Sequence, residues 1–113
     1  MHELSLAESL IETIEAASLK QNFTRVRTVW LEAGKLSGVE PEALQFGFQS
    51  ASQGTVAEGA VLEISEPPGE AWCEGCNTAI IIMAYYDPCP HCHGHRLRIT
   101  GGEQFRLKEL EVI

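Results

Sequence analysis

Apolar residues along the first twenty positions recur at three- and four-residue steps: Leu4, Ala7, Leu10, Ile11, Ile14, then Ala17 or Ser18. That period predicts an amphipathic helix from Leu4 to Leu19, with Ser5-Leu-Ala-Glu8 as its capping box. Glu8, Glu12 and Glu15 form a stripe on another side and read as a solvated face. The period then changes to two. Arg25 to Ala33 alternates and is rich in β-branched and aromatic residues, which predicts a strand ending at Gly34. Leu36 to Glu40 reads as loop, with Ser37-Gly38 as its turn signal. Pro41 suits the first turn of a second helix from Glu42 to about Gln53, with Leu44, Phe46 or Gly47, and Phe48 turned inward.

Two further alternating segments, Ala60–Glu66 and Gln104–Val112, read as strands of the same lobe. Between them lie two boundaries, Pro67-Pro68-Gly69 and Gly101-Gly102. The enclosed segment contains the longest apolar run, Ala79 to Met83 extended by Ala84, Tyr85 and Tyr86, and one strand is expected at Ala79–Ala84. The pattern predicts an α+β fold: two helices on a three-stranded sheet, with a small module inserted. The expected division is residues 1–68 plus 101–113 for the larger domain and 69–100 for the module.

The module holds every cysteine in the chain, as Cys73-Glu-Gly-Cys76 and Cys89-Pro-His-Cys92 with twelve residues between the pairs. Each pair puts two sulfurs on one short turn, so two turns can close a tetrahedral thiolate site. Zinc suits it, being borderline soft and redox-inert, and makes the module a zinc ribbon. Four thiolates leave no open position, so this zinc is structural and contributes to folding. A redox pair lacks its βαβ context, and a disulfide framework lacks any sign of secretion. His91, His93 and His95 crowd the second pair as outer neighbours, as replacement ligands or as ligands of a second metal; spacing alone leaves these open.

Charge narrows the partners. Sixteen Asp and Glu stand against eight Lys and Arg, for a formal net charge of −8. Nucleic-acid binders normally carry a basic patch, because phosphate neutralisation supplies much of their affinity. The segment from Glu70 to Arg98 has two arginines against three acids, so nucleic acid is not the expected partner. No apolar run approaches the ~18 residues of a membrane span, and Met1-His2-Glu3 lacks a signal-peptide start. A cytoplasmic, reducing compartment is the expectation.

His2 stands in an unusual place. The Met1 amine, the His2 backbone nitrogen once deprotonated, and the His2 imidazole can reach one metal through small chelate rings. The Glu3 backbone nitrogen or a carboxylate from elsewhere can fill a fourth planar position. Square-planar nitrogen and oxygen donors favour Ni(II) or Cu(II). No Gly-rich phosphate loop, Gly-x-Ser-x-Gly or His-Glu-x-x-His occurs, and every thiol is committed to the metal pattern, so an enzyme is not expected. The rival reading is a zinc-ribbon adaptor for nucleic acid or protein, without nickel. Whether the chain is a monomer or a homodimer is left open by its pattern.

The start Met1-His2-Glu3-Leu-Ser-Leu, the pairs Cys73-x-x-Cys76 and Cys89-Pro-x-Cys92-His93, and the closing strand together resemble the HypA/HybF family over the full length. That resemblance implies a two-lobed nickel metallochaperone serving maturation of [NiFe]-hydrogenase and, in some organisms, urease. It implies His2 as the essential nickel ligand beside the Met1 amine, Glu3 as its supporting neighbour, and Glu40 as an acidic side chain from the loop after the first strand. Cys73, Cys76, Cys89 and Cys92 are the implied zinc ligands. The ribbon is of the short type, which removes any nickel ligand carried by a longer insertion. The implied partners are an accessory GTPase for docking, the hydrogenase large-subunit precursor as recipient, and urease maturation proteins.

Overall fold

The computed structural model describes residues 2–113. In chain order the elements are α1 (His2–Gln21), β1 (Val26–Ala33), α2 (Pro41–Ala51), β2 (Val61–Ser65), β3 (Gly69–Cys73), β4 (Thr78–Ile82), β5 (Leu97–Gly101) and β6 (Phe105–Val112). They form two helices and two three-stranded sheets, ordered β2-β1-β6 and β4-β3-β5. The α+β class with a ribbon module is as the pattern predicts. Two strands of that module, β3 and β5, go beyond the one expected.

The chain divides into two compact units. The first comprises the segments up to Leu31, Val39–Ile64 and Leu107–Ile113. Its core is the inner face of α1 (Ala7, Leu10, Ile11 and Ile14) with Val26, Val29 and Leu31 of β1, Leu44 and Phe48 of α2, and Leu62 of β2. α1 begins at His2 rather than Leu4, so Ser5 and Glu8 lie inside the helix and form no capping box. The acid at its positive end is Glu3 instead, where a carboxylate complements the helix dipole. α2 starts at Pro41, with Glu40 as N-cap in extended conformation. Its inward residues are Leu44, Gly47 and Phe48, a three- and four-residue spacing that leaves Phe46 exposed. Gly47 is where the helices meet: a Cβ there would stand 3.3 Å from the Leu4 Cα.

The second unit comprises Glu32–Gly38 and Ser65–Arg106, so it takes in the loop after β1 as well as the cysteine segment. Backbone bonds explain the membership. The Gly34, Lys35 and Leu36 amides donate to the carbonyls of Gln104, Pro67 and Gly102 at 2.8–2.9 Å. A Cβ on Gly34 would fall 2.1 Å from the Gly102 oxygen, and Gly102 itself has φ +94°, a conformation that suits glycine. Leu36 enters the core formed by Ala71, Cys73, Ile80, Ile82 and Cys89. The half-of-a-pair acid Glu32, nearly buried, is satisfied by Gln104 at 2.9 Å and by two Arg106 nitrogens at 3.2 Å.

Candidate metal centre

Cys73 is the last residue of β3 and lies opposite Thr78, the first of β4, so the first cysteine pair is the turn of a hairpin. Asn77 closes that turn: its amide donates to the Cys73 carbonyl at 2.8 Å, and its φ of 54° is left-handed backbone. The second pair repeats the device. The His93 amide donates to the Cys89 carbonyl at 2.9 Å, and His93 has φ 61°. Asn and His are among the residues enriched at positive φ. The residue after each Cys-x-x-Cys therefore turns the chain, a role that spacing did not reveal although both residues directly follow a cysteine. Upstream, the Asp87 carboxylate accepts from the Met83 and Ala84 amides at 2.9 and 3.1 Å and fixes the approach to Cys89.

The four sulfurs converge. Cys73 and Cys92 Sγ are 3.7 Å apart, Cys76 and Cys89 Sγ 3.9 Å, and all four lie within 4.8 Å of one another. A zinc–sulfur bond of about 2.3 Å in a tetrahedron requires sulfur–sulfur edges of roughly 3.8 Å. The donor set thus fits the size and chemistry of a tetrahedral thiolate metal. Among the described residues no histidine belongs to such a group. His91, His93 and His95 are exposed; His91 contributes through its amide, 3.4 Å from the Cys89 sulfur.

The thiols differ in acidity. Hydrogen bonds from the Cys92 amide, and then from that of His91, draw Cys89 down to about 6 against the opposing effect of burial. Cys76 is pushed up to about 12, first by its hydrogen bond with Cys92 and then by burial and the other thiols. One thiolate is therefore already held by backbone donors, while another sulfur keeps its proton until a cation displaces it.

The N-terminal candidates lie in the first unit. Met1 falls outside the described residues. His2 opens α1 with its side chain 61% exposed, and its Nδ1 is 3.6 Å from Glu3 Oε2. That same Glu3 oxygen accepts from the Glu40 amide at 3.1 Å. This bond, followed by one from Glu3's own amide and by the His2 contacts, holds the Glu3 carboxyl below its ordinary value. Glu40 is thus brought beside Glu3 through its backbone; its carboxylate accepts from the Glu42 amide at 3.3 Å and caps α2. An apolar cleft of about 310 Å³ opens next to Glu3, between Leu4 of α1 and Ala43, Phe46 and Gly47 of α2. Among the described residues no helix is long and apolar enough to cross a membrane.

Comparisons with known proteins place the chain in a family. The family described as hydrogenase/urease nickel incorporation, metallochaperone, hypA matches residues 1–112. The hydrogenase maturation factor HypA of Azotobacter vinelandii is 51% identical over 112 residues, covering 99% of each chain. That of Rhodopseudomonas palustris strain BisA53 is 52% identical over the same length and coverage. The solution structure of the Ni metallochaperone HypA from Helicobacter pylori superposes with a TM-score of 0.68 at 26% identity, covering 98% of this chain and 97% of that one. A second HypA solution structure gives 0.72 at 27% identity, covering 100% and 97%. The chain belongs to the HypA family of hydrogenase and urease nickel-incorporation metallochaperones.

Proposed function

We propose that this chain binds Ni(II) at its N-terminus and delivers it to the [NiFe]-hydrogenase large-subunit precursor, while Cys73, Cys76, Cys89 and Cys92 hold a structural zinc. The observation that carries the nickel reading is the position of His2: an exposed imidazole on the first residue of α1. The first amides of a helix have no intrahelical acceptor, so the His2 and Glu3 nitrogens are not committed to the helix ladder. The positive end of the helix dipole favours a deprotonated, negative amide there. With the Met1 amine and the His2 imidazole, these nitrogens complete a planar donor set that suits Ni(II).

Glu3 and Glu40 support the site rather than close it by their carboxylates. The Glu3 carboxylate is taken by the Glu40 amide, and the Glu40 carboxylate caps α2. Exposure of His2 leaves room for an acceptor to exchange ligands with the bound ion. An accessory GTPase is the docking partner in this reading, with urease maturation proteins as further recipients. Cys73, Cys76, Cys89 and Cys92 would hold the zinc, which would supply a cross-link between the two cysteine turns.

Calorimetry with Ni(II) tests the reading on zinc-loaded protein. The wild type binds; His2→Ala and a form extended before Met1 both lose binding; Glu40→Ala stays within a few-fold of the wild type. Zinc content is unchanged throughout, at one ion per chain. Equal nickel binding by the wild type, His2→Ala and the extended form would sink the N-terminal site.

A further inference from the structure

The nickel and zinc readings leave two cations of the second unit without a role. That unit has four, Lys35, Arg96, Arg98 and Arg106, against six Asp and Glu. Lys35 pairs with Glu66 at 3.4 Å and Arg106 with Glu32 at 3.2 Å. Arg96 and Arg98 are exposed, and among the described residues neither forms an ion pair. From Cys89 to Gly102 the chain around them carries no acidic residue. Leu97 and Ile99 alternate with them and pack against the module's core, so the two arginines share the outer face of the strand. Arg98 lies on β5, opposite Trp72. Arg96 directly precedes the strand, and its carbonyl accepts from the Glu74 amide at 2.9 Å, which carries the ladder back to it. β5 has β3 as its one neighbour and is an edge of its sheet.

We propose that the edge of β5 takes an extended acidic segment of a partner protein, whose carboxylates at alternate positions meet Arg96 and Arg98. Alternate side chains of an extended chain stand roughly 6.7 Å apart on one face, which is also the spacing of two arginines two residues apart on a strand. Main-chain hydrogen bonds hold the added strand, and the alternation of its carboxylates sets its register. A guanidinium suits this role, because it can bond one carboxylate through two parallel N–H donors. Charge selects the occupant. Pairing β5 with its own copy sets arginine beside arginine, which opposes self-association through this edge. A long phosphate chain is disfavoured as well. Glu74 stands opposite Arg96, Glu70 opposite Gly101, and Glu103, bonded by the Tyr85 hydroxyl, lies just past the acid-free run. A polyanion that continues beyond the two arginines meets these carboxylates. A short strand does not, since Glu70 and Glu74 are on the β3 side of β5, away from the open edge.

The chain contains its own comparison. Arg25 and Arg27 have the same two-residue spacing, are exposed and form no ion pair among the described residues. Arg27 lies on β1, however, and β1 is flanked by β2 and β6, so it has no open edge for another strand. Strength follows from exposure. Each exposed guanidinium–carboxylate pair adds at most about fivefold to affinity, so the segment binds weakly and exchanges readily. The inference is independent of the nickel reading, and neither falls with the other.

Fluorescence anisotropy of labelled peptides with the zinc-loaded full chain tests it. One probe alternates glutamate with valine; a second, of identical composition, gathers its glutamates into one block. The alternating peptide is expected to bind, and the block peptide to bind at least about threefold more weakly. Arg96→Glu with Arg98→Glu lowers affinity for the alternating peptide at least about tenfold. The milder Arg96→Gln with Arg98→Gln, which removes both charges without reversing them, lowers it about fivefold. Arg25→Glu with Arg27→Glu makes the same change in net charge as the first reversal and leaves affinity within about twofold of the wild type. Zinc content and melting temperature confirm that each variant is folded. Absence of binding up to about 1 mM peptide overturns the proposal. So does equal binding of the two peptides, or an equal loss in the Arg25/Arg27 and Arg96/Arg98 reversals. Tighter binding of a single-stranded oligonucleotide of equal charge overturns it in favour of nucleic acid.

Discussion

Leu36 is not a metal ligand and lies far from the cysteines in sequence, yet replacing it with alanine is expected to loosen the zinc. Its side chain is 5% exposed, and it enters a small core with the buried Ile80 and Ile82, against which the half-buried Leu97 and Ile99 pack. The fit is close: a Cβ on Gly69 would stand 2.7 Å from Leu36 Cδ1. The backbone around it is tied to Pro67 and Gly102 at 2.8 Å, so the hole left by truncation cannot readily collapse. A buried Leu→Ala change of this kind costs about 2–5 kcal/mol. In a small thiolate module the binding free energy of zinc is also folding free energy, so that cost appears in the zinc affinity. Taking about 3 kcal/mol, at 1.4 kcal/mol for each factor of ten, apparent affinity falls roughly a hundredfold.

Competition with a chromophoric chelator measures this directly. Phe48→Ala is the control: it truncates a residue 1% exposed in the first unit, at a cost of about 3–5 kcal/mol, and should lower the melting temperature without moving zinc affinity. If Leu36→Ala holds zinc within about threefold of the wild type while its melting temperature falls, the coupling of core to metal is refuted. If Phe48→Ala weakens zinc as much, the effect is global and the reasoning about Leu36 fails.

Gly34→Ala forces a Cβ into the Gly102 backbone and should destabilise the second unit by about 3 kcal/mol or more, read as a fall in melting temperature; an unchanged melt would refute the close approach. Zinc binding at neutral pH should release fewer than four protons, because Cys89, at about 6, is already a thiolate while Cys76, at about 12, still carries its proton. Calorimetry in buffers of different ionisation enthalpy counts them, and a full four would contradict the hydrogen-bonded thiolate. In the zinc-free protein a depressed Cys89 stabilises the fold above the ordinary thiol value of 9.0, and this contribution disappears as pH falls through about 6.

What sequence revealed and what it concealed have a common physical basis. The cysteine site was legible because each half is encoded within a few residues, and the α1 face because its apolar period is unbroken from Leu4 to Ile14. β3 was hidden by Pro67-Pro68-Gly69, which reads as a turn although Gly69 already begins the strand. β5 is only five residues long, and its alternation rests on just two apolar residues, Leu97 and Ile99. Leu36 reads as loop in sequence because its burial depends on partners supplied from Gly69 onward. The start of α1 at His2 is hidden for the same reason: Ser5 and Glu8 satisfy a local rule, whereas Glu3 is held by the distant Glu40 amide. The place of His2 at the N-terminal end of α1 is legible in sequence, while the bond that ties Glu3 to Glu40 is not.

The repeated turn around the cysteines bears on how the cage comes to exist. Cys73 to Asn77 and Cys89 to His93 are each five residues closed by one backbone bond and one left-handed residue. Each is a pincer that forms with almost no help from distant sequence, so half of the cage is available early in folding, before β5 has joined the sheet. Uniting the halves then requires closure of only the eleven residues from Thr78 to Pro88 between them, and the entropy of such a loop grows slowly with length. The spacing inside each pincer is therefore rigid, but the connection between them is free to lengthen. Its apolar strand and tyrosine turn are the part of the ribbon open to change without dismantling the cage.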